Sequence, residues 1–341
     1  MPSTTLFMQK ASSIRKPWLN KTFLPKITYT TNTTLTSTLD GAPVELYYDG
    51  ITVNSGVTLT TSNRCKGLHI FCRGDLVVNG VINMSARGAR ATGTNRGLKL
   101  KTLEMLHQTD VSTCDIQWLS TSAGAGGTWY THGYAAATNT GLCGGGGNGG
   151  GIGNAGGNGS AGTIYSGGSG GGASGWECAW RGWPASSCSG SAGVANGGAG
   201  GNGNDAGSGT AGANACGGGA GNPGGSPYSG PMGTGYTGSS GTGGALIFVV
   251  YGNIIIGSTG AIISDGSPGG SACGGHRSAG GGGSGGGGIT LLYTGNYTNS
   301  GTIRANGGSG GASSCNSQGY NWYFTGGNGG AGNIRVQKVV I

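Results

Sequence analysis

Glycine returns at every third position over long stretches of this chain. Residues 144, 147, 150, 153, 156, 159 and 162 are all Gly. Taken in threes from 197 to 233, ten positions are Gly, Ala206 and Ala215 are small, and only Pro227 departs. A third run, 235, 238, 241 and 244, is Gly throughout. A period of three is that of the polyproline-II type of helix, with three residues per turn and a rise of about 3.1 Å. One face of such a helix is then all Gly, and a face without Cβ atoms lets a neighbouring backbone come close. The helix has no internal hydrogen bonds, so its N–H and C=O groups must pair with neighbours or water. Pro accounts for only 9 of 341 residues, which excludes collagen and leaves nearly every N–H available. The expectation is a hydrogen-bonded bundle of polyglycine-II helices. A flexible linker has no reason to hold phase, or to carry Ile152, Ile164 and Val194.

The second periodic signal is a strand-turn-strand phrase that occurs at 68–88, 247–266 and 290–307. Each copy has an apolar β run, then Gly-Asn or Gly-Asp, a second β run, a Gly, and Ile among small residues. In the first copy the Gly-Asp pair is Gly74-Asp75; in the others Gly-Asn is Gly252-Asn253 and Gly295-Asn296. Apolar, β-branched runs bounded by Gly and Asn are strand signals, and repetition at fixed offsets points to the rungs of a solenoid. The segments 44–48, 51–59 and 334–341 fit the same style. The fold class expected is all-β and irregular. A β-rich N-terminal part with solenoid-like strands precedes a Gly-rich polyglycine-II helix bundle interleaved with strands.

Composition changes along the chain. Nine of the 84 glycines lie in residues 1–120. The formal charge of +8 also comes mainly from the front, where Lys10, Arg15, Lys16, Lys21 and Lys26 precede the first acid, Asp40. Three regions are expected: a basic extended attachment arm at 1–45, a β-rich shoulder at 46–120, and a Gly-rich domain at 121–341. The arm has no aromatic interleaving beyond Trp18 and Phe23, so it is read as docking on a protein partner and not on nucleic acid. The first residues lack the basic start and apolar core of a secretory signal. No apolar run approaches the length of a membrane span, so no membrane insertion is expected.

Short aromatic islands interrupt the Gly runs. They are Trp129, Tyr130, His132 and Tyr134; Trp176, Trp180, Arg181 and Trp183; Tyr228 and Tyr236; and Tyr320, Trp322, Tyr323 and Phe324. Trp, Tyr and Arg on rigid loops give large contact area at low entropic cost, as a binding surface requires. Capping of a bundle end is the plainer role for the same residues. Of the nine Cys, Cys178 and Cys188 bracket Trp180, Arg181, Trp183 and Pro184 and are the disulfide candidates. Cys65 and Cys72 flank His69, but no fourth ligand is in view, so no metal is expected. The rear carboxylates Asp115, Glu177, Asp205 and Asp265 are scattered, and the four His form no catalytic motif. The chain is therefore read as a non-enzyme without cofactors.

At these Gly runs and islands the chain resembles the receptor-binding adhesins at the tips of bacteriophage long tail fibres, the polyglycine-II sandwich type. The runs that carry the resemblance are 144–162, 197–233, 269–288, 307–311 and 326–332. The interleaved strand phrases and the nine Cys depart from that pattern. The resemblance implies a virion protein, made in the host cytoplasm and exposed outside the cell. Residues 1–45 would join it to other tail-fibre or virion proteins, and the aromatic loops would touch a bacterial surface protein or glycan. The alternatives are a structural virion component (fibre, collar or decoration) cross-linked by disulfides and, more remotely, an ice-binding protein.

Overall fold

The computed structural model describes residues 21–89, 241–273, 277–314 and 322–338, with shorter pieces at 132, 134–135, 142–147, 149–150, 159, 162, 165–168, 170–171, 229–230 and 233–235. These residues are all-β, with strands and irregular segments and no helix among them.

Fifteen strands wind into a three-faced parallel solenoid. Face one holds β3 (Val44–Tyr48), β6 (Leu68–Cys72), β11 (Leu246–Val250), β16 (Ile289–Tyr293) and β21 (Ile334–Lys338). Face two holds β1 (Ile27–Tyr29), β4 (Ile51–Val53), β7 (Leu76–Val78), β12 (Ile254–Ile256) and β17 (Tyr297–Asn299). Face three holds β2 (Thr33–Leu35), β5 (Thr58–Thr61), β8 (Val81–Asn83), β13 (Ala261–Ile263) and β18 (Thr302–Arg304). The chain visits the faces in the order two, three, one, five times over, so each face has five strands. The strand phrases of the sequence supply the second, third and fourth strands of face one and the third, fourth and fifth of faces two and three, and β6 of the front part bonds directly to β11 of the Gly-rich part. β1, β2 and the start of β3 fall within residues 1–45.

Register is set by the pleat. Alternate residues of a strand point to opposite sides, so a parallel ladder stacks like on like. On face one, Leu46, Ile70, Phe248, Leu291 and Val336 align and point inward. Ile51, Leu76 and Ile254 do so on face two, and Leu59, Ile82 and Ile262 on face three. All of these except the two end residues Leu46 and Val336 are fully buried. Each such Ile, Leu or Phe contributes roughly 1.5–3 kcal/mol on burial.

The Gly-Asp and Gly-Asn pairs make the corner between faces one and two. Asp75 Oδ1 accepts from the Asn253 backbone N–H (2.7 Å) and side-chain amide (3.0 Å). Asn253 Oδ1 in turn accepts from the Asn296 N–H at 2.8 Å. A side-chain ladder thus continues the strand ladders around the bend. Gly precedes each acid or amide because the turns stack backbone on backbone: a methyl at Gly74 would overlap the Asp49 carbonyl.

The corner between faces three and one varies. In the first two turns it is short, and Ser37, Ser62 and Asn63 bond across it while Arg64 forms a two-point ion pair with Asp40 (2.6 and 2.8 Å). In the last three turns it opens into the segments 84–245, 264–288 and 305–333. These carry the Gly runs.

Candidate functional site

The second and third excursions run out from the solenoid and back. Their returning limbs are parallel, and hydrogen bonds between them recur every third residue: Gly280 N–H to Phe324 O, Gly283 to Gly327, Gly286 to Gly330 and Ile289 to Asn333, at 2.8–3.0 Å. The last of these passes directly into the β16–β21 ladder. Antiparallel limbs show the same interval, as in Gly281 to Gly270, Ser284 to Ser267 and Gly287 to Ser264. The first excursion joins in through Gly144, Gly147 and Gly150, which donate to Gly286, Gly283 and Gly280 at 2.9 Å each. Burial follows the same period: Ala305, Gly308 and Gly311 are buried, while Asn306, Ser309 and Ala312 are exposed. Contact here is backbone to backbone. A methyl at Gly144 would overlap the Gly330 carbonyl, and one at Gly285 the Gly144 carbonyl. The Gly runs at 151–158 and 197–228 lie outside the described residues.

Residues of the first excursion rest on the outer side of face one. There Phe71, Ile247, Val249 and Leu292 form a second apolar cluster with Leu142, Cys143, Tyr165 and Ala245. His69 stands in the same outward row as Ile247 and Thr290. It is buried, and among the described residues neither of its ring nitrogens nor Thr290 Oγ1 has a hydrogen-bond partner. Burial pushes its pKa down to about 4, against a smaller opposing pull from Glu45. Cys65 and Cys72 are free thiols in the inner core, across the sheet from the His69 side chain. Among the described residues no group of His, Cys, Asp and Glu is placed to hold a metal ion. No helix among them is long and apolar enough to cross a membrane.

Small strands gather where the excursions turn, far from the solenoid. β14 (Ala272–Cys273) lies between β10 (Gly233–Gly235) and β19 (Ser313–Ser314), with β9 (Ser229–Gly230) beyond β10. β15 (Arg277–Ala279) pairs with β20 (Trp322–Phe324), setting Arg277 opposite Trp322. Two aromatic islands far apart in sequence meet at this tip. The His132 and Phe324 rings lie 5.6 Å apart at 60°. The Thr325 backbone N–H donates to His132 Nδ1 at 3.0 Å, and Thr325 Oγ1 lies 3.0 Å from the same nitrogen. An Nδ1 that accepts a backbone N–H is unprotonated, so the neutral ring carries its proton on Nε2. Tyr134 is 51% exposed, and its carbonyl packs against Gly327.

Of the expected binding residues, then, His132, Tyr134 and Phe324 come together, with Trp322 and Tyr323 preceding Phe324 on β20. Trp129, Tyr130, Trp176, Trp180, Arg181, Trp183, Tyr228, Tyr236 and Tyr320 lie outside the described residues, as do Cys178 and Cys188. Thr325 joins the site, and Arg277 stands on the neighbouring strand β15; neither was marked by the sequence. Thr325 directly follows the last island, which was the available signal. Comparison of the chain with models of known protein families, with curated proteins and with solved structures finds no match.

Proposed function

We propose that this chain is a non-enzymatic binding protein at the tip of a phage tail fibre or spike, and that its aromatic loops hold a bacterial surface receptor. The observation that carries the reading is the meeting of His132 and Tyr134 with Phe324 and Thr325 at the outer end of the Gly-rich excursions. A tip needs loops held away from their support on a stiff stalk. Backbone pairing every third residue supports reading these limbs as polyglycine-II helices, which supply that stiffness without bulky side chains. Aromatic rings with an imidazole donor suit contact with a protein or glycan surface. In this reading residues 1–45 join the chain to other virion proteins.

The test is binding of labelled protein to host bacteria, with free phage as competitor. The double variant His132→Ala, Phe324→Ala should weaken binding tenfold or more while the thermal unfolding of the solenoid is unchanged. Undiminished binding by that variant would remove the tip from the receptor interface. A folded wild-type protein that binds no strain would overturn the reading as a whole.

A further inference from the structure

The apolar side chains that the described residues leave open are not scattered. Besides Tyr134 at the tip, the large exposed ones are Leu24 (50%) and Leu39 (57%) at one end of the solenoid and Ile334 (41%) and Val336 (37%) at the other. Ile334 and Val336 stack on Ile289 and Leu291 and belong to the inward row. They are open because β21, β17 and β18 are the last strands of their sheets. This end is therefore a cross-section of the core, rimmed by three strand edges on which no further strand lies among the described residues. Such edges are templates for another strand.

The choice of occupant follows from charge. No Asp or Glu occurs after Asp265, while Arg304, Arg335 and Lys338 lie on the terminal strands. Asp265 is already engaged with Arg304 (2.7 Å). A second copy stacked end on end would set this basic rim against itself. A second copy stacked head to tail fares no better. Residues 21–24 track the outer edge of β3: Lys21 pairs with Glu45 (3.8 Å), Phe23 packs on Tyr47, and the Leu24 N–H bonds to the Tyr47 carbonyl. Continuing the face-one ladder into another copy would then bring Arg335 over Lys21.

We propose that the β21 end of the solenoid is a docking surface for an edge strand of a different protein. That strand alternates apolar residues, which cover Ile334 and Val336, with acidic residues facing Arg335. The surface is separate from the aromatic tip and does not depend on the receptor reading.

The probe is a fluorescein-labelled strand peptide, Val-Glu-Val-Glu-Val with Ser at each end, against its Lys counterpart. Binding is followed by polarisation and by amide exchange of the full chain. The acidic peptide should bind at least tenfold tighter than the basic one and slow exchange in β21. The double variant Arg335→Glu, Lys338→Glu should reverse that preference, a gain that a misfolded protein would not show. Equal binding of both peptides, no binding of either, or protection elsewhere than the β21, β17 and β18 edges would overturn the proposal. So would self-association in sedimentation that Val336→Lys abolishes, since the end would then belong to a second copy.

Discussion

The solenoid and its excursions stand on opposite principles. In the solenoid, stacked Ile, Leu, Val and Phe fill an interior and the backbone ladders position them. Between the described limbs of the second and third excursions few side chains are buried, and backbone bonds every third residue carry the packing. One region is held by volume and the other by the absence of volume. The same substitution, small to large or large to small, therefore has opposite meaning in the two.

The largest effect is expected at Gly285. Changing Gly285→Val drives a branched side chain into the Gly144 carbonyl, where only backbone can yield. We expect a loss of about 5 kcal/mol, in the range where single changes become diagnostic. Amide exchange should show the limbs at 280–288 and 325–333 opening while β6 to β8 stay protected. Equal loss in both regions would dissolve the contrast. Next comes Phe248→Ala, which hollows the middle of the core. It should cost about 3–5 kcal/mol and lower the denaturation midpoint of the solenoid itself.

A smaller effect tests the seam between the regions. His69 is neutral when folded, with a pKa near 4, against about 6.5 in an unfolded chain. Between those values the unfolded chain holds a proton that the folded one lacks. Stability is therefore full above pH 6.5 and declines as pH falls towards 4, by on the order of 3 kcal/mol. His69→Leu should flatten this decline in denaturant titrations across that window. The smallest effect is expected at the corner: Asn253→Ala removes the amide that links Asp75 to Asn296 and should cost about 1–2 kcal/mol.

Much of the solenoid was legible because its signals are local. The phrase at 68–88 gives β6, β7 and β8, and the Gly-Asp or Gly-Asn pairs that punctuate it are the corner ladder. The Gly period likewise matches the three-residue interval of the bonds between limbs. Partnership was not legible. Nothing in Leu68–Cys72 says that its neighbour on one side is Leu246–Val250, with the whole first excursion between them. β1 and β2 carry too few apolar residues to stand out, and their place depends on the strands they pair with. At the tip, the islands were visible by composition, but the His132–Phe324 contact required knowing which limbs run side by side.

All three excursions leave at one corner, and the strands before and after each resume in register as in the turns with short corners. The length of what is inserted is thus uncoupled from the coil that carries it. Closing a longer loop costs little, about 0.6 kcal/mol per doubling. A lineage built on this plan can lengthen, shorten or exchange a projection while keeping its foundation. Variation in reach and in contact chemistry is then confined to one side of the molecule, where it does not compete with folding.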